Sequence, residues 1–169
     1  MEWVESWLAW IHNFIREHGY AHEILPGVYL GDIVVAQNKP YLQLLGIKTI
    51  INTAKEAPNY FPTDFTYSNL GFEDTGKPLI RPELPRLFEL IEATRQRGEN
   101  VLIHCMGGVS RSATFMIAYV MWKQHILFAE ALEHVRSRRR IVNPKPGFLE
   151  QLQVYEHELF ADAVPTVWR

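Results

Sequence analysis

Apolar positions recur with two different periods along this chain, and the alternation of the two is its main organisational signal. Trp3, Trp7, Trp10, Ile11, Phe14 and Ile15 return at three- and four-residue steps with charges between them. That spacing predicts an amphipathic helix over residues 2–18, closed by Gly19. EILPGVYLGD (23–32) reads as a strand with a turn at Pro26-Gly27, IKTIINTA (47–54) as a buried β-branched strand, and FTYSNLGF (65–72) as a third. From Arg81 to Gly98 the pattern is helical, with proline early, Leu84, Leu87, Phe88 and Ile91 on one face, and glycine at the end. VLIH (101–104) is a short apolar strand between turn signals. Ser112 to Lys123 is apolar nearly all round, which predicts a buried helix. Two further helices are predicted, from about Phe128 to Arg138 and from Gly147 to Phe160, the last with Phe148, Leu152, Tyr155 and Leu159 on one side. Strands alternating with helices predict an α/β fold: a single layered domain with a central, mostly parallel sheet of about four to five strands flanked by helices. That domain is expected over residues 21–162, with the N-terminal amphipathic helix (1–20) as an addition and 163–169 as a tail.

Composition adds bounds rather than a function. The 169 residues suffice for one sizeable core, and 47% hydrophobic with 21% charged residues is ordinary for a globular protein. A net charge of −2 gives no reason to expect nucleic acid or an anionic membrane as partner. No apolar run reaches the roughly 18 residues of a spanning helix, so membrane insertion is not expected. MEWVESWLAWIHNF has no basic start and is interrupted by Glu2, Glu5 and His12, unlike a signal peptide. The single cysteine excludes an internal disulfide and fits a reducing, cytoplasmic address. One cysteine with scattered histidines also offers no spaced metal-ligand set, and neither metal nor cofactor is expected.

The chemistry concentrates in HCMGGVSR, which the pattern places between the end of a strand and the start of the buried helix, where ligands bind in open α/β sheets. The first N–H groups of a helix have no internal partner and carry partial positive charge. Gly107 and Gly108 let the turn curl and let backbone approach a ligand. The N–H groups of Met106, Gly107, Gly108, Val109, Ser110 and Arg111 are then expected to form a nest around an anion, closed by the planar fork of Arg111. At the base lies Cys105, whose thiolate this environment favours, so a low pKa is expected. A thiolate facing a tetrahedral oxyanion cradle implies nucleophilic attack on phosphorus.

His104, Cys105, Gly108, Arg111 and Ser112 match the H-C-x-x-G-x-x-R-[S/T] pattern, and by these residues the chain resembles the cysteine-dependent protein tyrosine phosphatases. Its G-V-S-R-S-A wording resembles the dual-specificity branch, as do EILPGVYLGD, LGIKTIIN and RRIVNPKPGFLEQLQVYE (139–156). The first 20 or so residues have no evident counterpart. The resemblance implies a phosphatase-like fold and a phosphocysteine intermediate on Cys105. It also implies a general acid on a loop about thirty residues upstream. Asp74 in GFEDTGKP fits that spacing and sits on a Gly- and Pro-punctuated loop after a strand; Glu73 is the competing acid, and a turn cap is the bland reading of Asp74. Ser112 is implied to hydrogen-bond the sulfur, and His104 to tune the thiolate rather than react.

The closing segment departs from the pattern. Lys145 stands in P-K-P-G-F where the family asparagine would brace the cysteine loop, and Asn143 is the nearest substitute. In the Arg136, Arg138, Arg139, Arg140 cluster, Arg140 is matched to the family arginine and, with Lys145, is a candidate contact for a second phosphate or acidic substrate residues. The remainder of the cluster reads as a solvated helix end. The chain lacks the Trp-Pro-Asp acid loop and aromatic phosphotyrosine loop of the strictly tyrosine-specific class. A shallow pocket, and phosphorylated proteins bearing phosphotyrosine or phosphoserine/threonine as substrates, are therefore expected. The uncharged run from Met106 to Ser110 argues against an inositide headgroup, and the net charge against an RNA 5′-phosphate. A non-catalytic phospho-binding module is the alternative of another class. The Trp3, Trp7, Trp10 stripe is either a packing face or, if unpacked, a partner or dimer contact.

Overall fold

In a computed structural model of the chain, residues 18–161 are described. The predicted N-terminal helix, apart from its last residue, and the tail 163–169 lie outside them. The element order opens with an antiparallel hairpin, β1 (His22–Leu25) and β2 (Val28–Gly31), where the sequence suggested one strand segment. Pro26-Gly27 is its two-residue connection, and Gly27 at φ 71° supplies the positive φ such a tight hairpin needs. Next come two short helices, α1 (Ile33–Ala36) and α2 (Lys39–Leu44), then β3 (Ile47–Ala54) and β4 (Thr66–Phe72). A 3-10 turn at Arg81–Glu83 leads into α3 (Leu84–Gln96). Then follow β5 (Asn100–His104), α4 (Arg111–Gln124), α5 (Phe128–Arg138) and α6 (Pro146–Leu159).

The five strands form one sheet in the order β1-β2-β5-β3-β4, parallel throughout except for the β1 edge. Successive side chains of β5 face opposite ways, as a strand requires. Val101 and Ile103 join the large core under α3, α4, α5 and α6, while Leu102 joins Val35, Leu42, Ile47, Ile50 and Phe65 under α1 and α2. Both faces of β5 are therefore dry, which is why its sequence is a continuous apolar run. From Arg111 to Met121 every residue of α4 is buried, as its all-round apolar pattern predicted.

Parallel strands end on one edge, and this is what builds the site. β2 ends at Gly31, β3 at Ala54, β4 at Phe72 and the central β5 at His104. The loops that follow them carry Asp32, Glu56, Glu73 with Asp74, and Cys105 respectively, and so meet above the same end of the sheet.

Candidate active site

The segment between β5 and α4 is held from outside by its carbonyls. Cys105 O lies 3.3 Å from His104 Nδ1. Met106 O accepts from Ile33 N at 3.1 Å. Gly107 O accepts from Arg139 Nη2 at 3.1 Å and Gly108 O from Arg139 Nε at 2.9 Å. Val109 O accepts from Asn143 N, and Ser110 O from Thr114 N, both at 2.8 Å. Six consecutive carbonyls are thus engaged. In a trans peptide the N–H points opposite to the C=O of the preceding residue. Fixing the carbonyls outward therefore turns the N–H groups of Met106 through Arg111 into the concavity. Gly108 N shows the result directly, donating to Cys105 Sγ at 3.2 Å. Gly108 is obligatory: its φ is 64°, and a Cβ there would lie 2.6 Å from both Arg139 Nη2 and Gly31 O.

Cys105 is 2% exposed, at the base of this ring, beside Ala54, Ala57 and Ile33. Ser112 Oγ is the second donor to its sulfur, at 3.1 Å. Two donors converging on one sulfur stabilise negative charge there. Arg111, 4% exposed, spends its donors unevenly. Nη1 bonds Glu56 Oε2 at 2.7 Å and Phe72 O at 3.0 Å, and Nη2 bonds Glu56 Oε1 at 2.6 Å. Glu56 takes the end of the guanidinium and Phe72 O the far side. Left over is the edge formed by Nε–H and the second Nη2–H, and Nε is buried with no partner. Two parallel, unspent donors match two oxygens of a phosphate. Burial alone would lower the Arg111 pKa, but the Glu56 bond, with the charges of Cys105, Glu56 and Asp74, outweighs it and raises it. The Arg111 bond in turn holds Glu56 below the usual carboxylate range.

Asp74 is exposed on the loop after β4, close enough for its charge to act on Arg111. Its rival Glu73 bonds Lys55 Nζ at 2.7 Å, and that bond and charge lower the Glu73 pKa and favour its carboxylate as a paired anion. His104 is wholly buried, and burial, partly offset by its bond to Cys105 and the Asp32 charge, lowers its pKa to about 4. The ring is therefore neutral, and Nδ1–H is the donor that Cys105 O requires. His104 thus meets the first carbonyl of the loop.

The arginine cluster differs from its reading as a solvated helix end in one member. Arg140 is exposed; the arginine that reaches the loop is Arg139, 0% exposed, which also bonds Tyr20 O at 3.3 Å and meets His22 Nδ1 at 3.0 Å and Asp32 Oδ2 at 3.4 Å. At a helix end, periodicity did not say which member of RRR turns inward; Val135, four residues earlier on the buried face, was the available clue. Asn143 meets the loop through its backbone N–H, a bond that any residue but proline would make there, and not through the side chain that would replace the family asparagine. Lys145 adds a second backbone bond, from its N to Ser110 Oγ at 3.1 Å, while its side chain is exposed. Glu56 and Gln151 were not singled out from sequence. Among the described residues no cluster of histidine, cysteine or carboxylates is suited to a metal ion, and no helix is long and apolar enough to cross a membrane.

A mostly parallel sheet delivering a cysteine into an inward-facing amide ring, closed by a half-spent arginine, defines the architecture of a cysteine-based phosphatase. The chain belongs to the dual specificity phosphatase family: the family profile "Dual specificity phosphatase, catalytic domain" matches residues 28–158. It is 38% identical over 154 residues to human protein phosphatase Slingshot homolog 3, covering 91% of this chain and 23% of that one. It is 36% identical over 147 residues to dual specificity protein phosphatase 1-A of Xenopus laevis, covering 87% and 40% respectively. The chain thus spans well under half the length of these relatives. The Slingshot match takes in more of the chain than lies beyond residue 20, so part of the N-terminal segment does have a counterpart. Among solved structures, the human tyrosine phosphatase-like serine/threonine/tyrosine-interacting protein superposes with a TM-score of 0.77 at 36% identity, covering 82% of this chain and 96% of that one.

Proposed function

We propose that the unit over residues 21–162 hydrolyses phosphotyrosine and phosphoserine/phosphothreonine in proteins, in the cytoplasm, through a phosphocysteine, without metal or cofactor. The observation that carries the reading is the buried, unspent Nε edge of Arg111 beside a cysteine that already accepts two hydrogen bonds. Cys105 Sγ attacks phosphorus in line, forming the S–P bond as the P–O bond to the leaving group breaks. Asp74 gives its proton to the departing oxygen. The amide ring and the Arg111 edge stabilise the equatorial oxygens, where transition-state charge lies. Asp74, now a carboxylate, takes a proton from water as that water attacks phosphorus, and the S–P bond breaks. The Ser112 hydroxyl supports the returning thiolate. Arg140 and Lys145, exposed near the loop's brace, are the candidate contacts for acidic or doubly phosphorylated substrates. The Trp3, Trp7, Trp10 segment is the candidate partner contact.

A phosphopeptide panel alongside phosphoinositides tests the substrate class; turnover confined to inositides would overturn it. A second reading has one observation in its favour: the human relative described as phosphatase-like and interacting. A pure phospho-binding module would turn over no aryl phosphate in either native or Cys105→Ser form, whereas the proposal requires turnover in the native chain that Cys105→Ser abolishes.

A further inference from the structure

We propose that Gln151, on α6, is a positioning residue that sets the acid loop over the phosphate cradle. This rests on the reading of Asp74 as general acid. The loop from Glu73 to Ile80 is largely exposed and has no regular structure, yet one side-chain amide ties three of its backbone groups. Gln151 Nε2 donates to Gly76 O and to Pro78 O, both at 3.1 Å, and Oε1 accepts from Ile80 N at 2.9 Å. Both amide donors and the carbonyl are used, so no other side chain of this length supplies the set. Glutamate keeps only the acceptor; leucine keeps nothing.

Backbone packing reinforces the clamp. A Cβ on Gly147 would lie 2.6 Å from Gly76 O, and one on Gly76, at φ 77°, would lie 3.1 Å from Gly147 N. The loop therefore rests directly on the first turn of α6. The residues just before that turn grip the cradle through Asn143 N to Val109 O and Lys145 N to Ser110 Oγ. One continuous stretch, 143–151, thus holds both the phosphate cradle and the acid loop. On its other side the loop is anchored at Phe72 O, which accepts from Arg111 Nη1 and from Lys55 N. Asp74 lies midway between the Phe72 and Gly76 anchors, and its reach to the leaving oxygen is set by them. A small misplacement of a reacting group costs up to about a hundredfold in rate.

The test compares aryl phosphates with good and poor leaving groups for the native chain, Asp74→Asn, Gln151→Leu, Gln151→Glu and the double variant Asp74→Asn/Gln151→Leu. The positioning role predicts a kcat loss of about 10- to 100-fold on poor leaving groups in both Gln151 variants, with less than about threefold on good ones. KM and inhibition by inorganic phosphate should stay within about twofold, because the cradle's own donors are untouched. On top of Asp74→Asn, the Gln151→Leu change should cost no more than about threefold, since the group it positions is already gone. Equal losses on all leaving groups, or full additivity in the double variant, overturn the inference while leaving Asp74 in its role. If Asp74→Asn itself lacks leaving-group dependence, the acid assignment falls and the inference with it. Gln151→Glu keeps the test open should the leucine variant fail to fold.

Discussion

Replacing Arg139 with methionine removes the one side chain that holds two adjacent carbonyls of the cysteine loop, Gly107 O and Gly108 O. Methionine retains the apolar stem's bulk, so the perturbation is mainly the loss of donors and charge. Each buried carbonyl left without a donor costs about 1–3 kcal/mol, and the buried Asp32 carboxylate loses a neighbouring cation. Removing one partner of a buried pair costs about 3–5 kcal/mol with its unmet acceptors included. Because the Gly107 contact is only part-buried and Asp32 keeps the N–H donors of Gly19 and Val35, the loss falls at the lower end, about 3–4 kcal/mol. That is a large share of the roughly 5–15 kcal/mol of a typical domain. Activity should fall too. With its carbonyls released, the loop no longer fixes the Gly108 and Val109 amides, and a lost oxyanion donor costs about 10²–10³ in kcat. Urea unfolding with an unchanged slope measures the first effect, and aryl phosphate turnover at low urea the second. Arg140→Met is the internal control: at an exposed position its stability change should stay within about 0.5 kcal/mol. An Arg139→Met loss below about 1 kcal/mol with native turnover, or an equal loss from Arg140→Met, would refute the claim that the loop is held by its outward carbonyls.

Three other outcomes follow from the site. Glu56→Ala should cut kcat/KM about tenfold, as Arg111 loses the partner that aims its free edge, while a urea melt shows little change because Glu56 is half exposed. His104 has a folded pKa of about 4 against an ordinary 6.5, so the unfolded chain binds the extra proton between those values. Stability should therefore fall by about 3 kcal/mol as pH drops from 6.5 to 4, by about 1.36 kcal/mol per unit; His104→Asn, followed by urea melts across that range, should remove the fall. Glu73→Gln should leave the leaving-group dependence of kcat unchanged while Asp74→Asn steepens it; the reverse in a substituted aryl phosphate series would reassign the acid.

The sheet and its core helices were legible because long apolar periods report burial directly. IKTIINTA became β3 residue for residue, and the apolar stretch after Arg111 became the central helix α4. The two short helices α1 and α2 were not, because four and six residues are too few to display a period of 3.6. Their only signals were the caps Asp32 and Asn38, whose side chains accept from Val35 N and Tyr41 N. The nucleophile and its ring were written into contiguous sequence, since a tight loop brings neighbours together. Glu56 and Gln151 reach the same place from distant elements, and no local pattern announces a side chain whose partner is 55 to 75 residues away; Arg139 had only the buried Val135 one helical turn earlier to point it inward.

The central claim is that Cys105 forms a bond to phosphorus. Acid quenching during turnover of a labelled aryl phosphate, followed by peptide mapping, tests it most directly. The account predicts label on the peptide carrying Cys105, increased in Ser112→Ala because the hydroxyl that eases sulfur's departure is gone, and absent in Cys105→Ser. Turnover that persists in Cys105→Ser, or that proceeds with no phosphate ever carried on the sulfur, would contradict it.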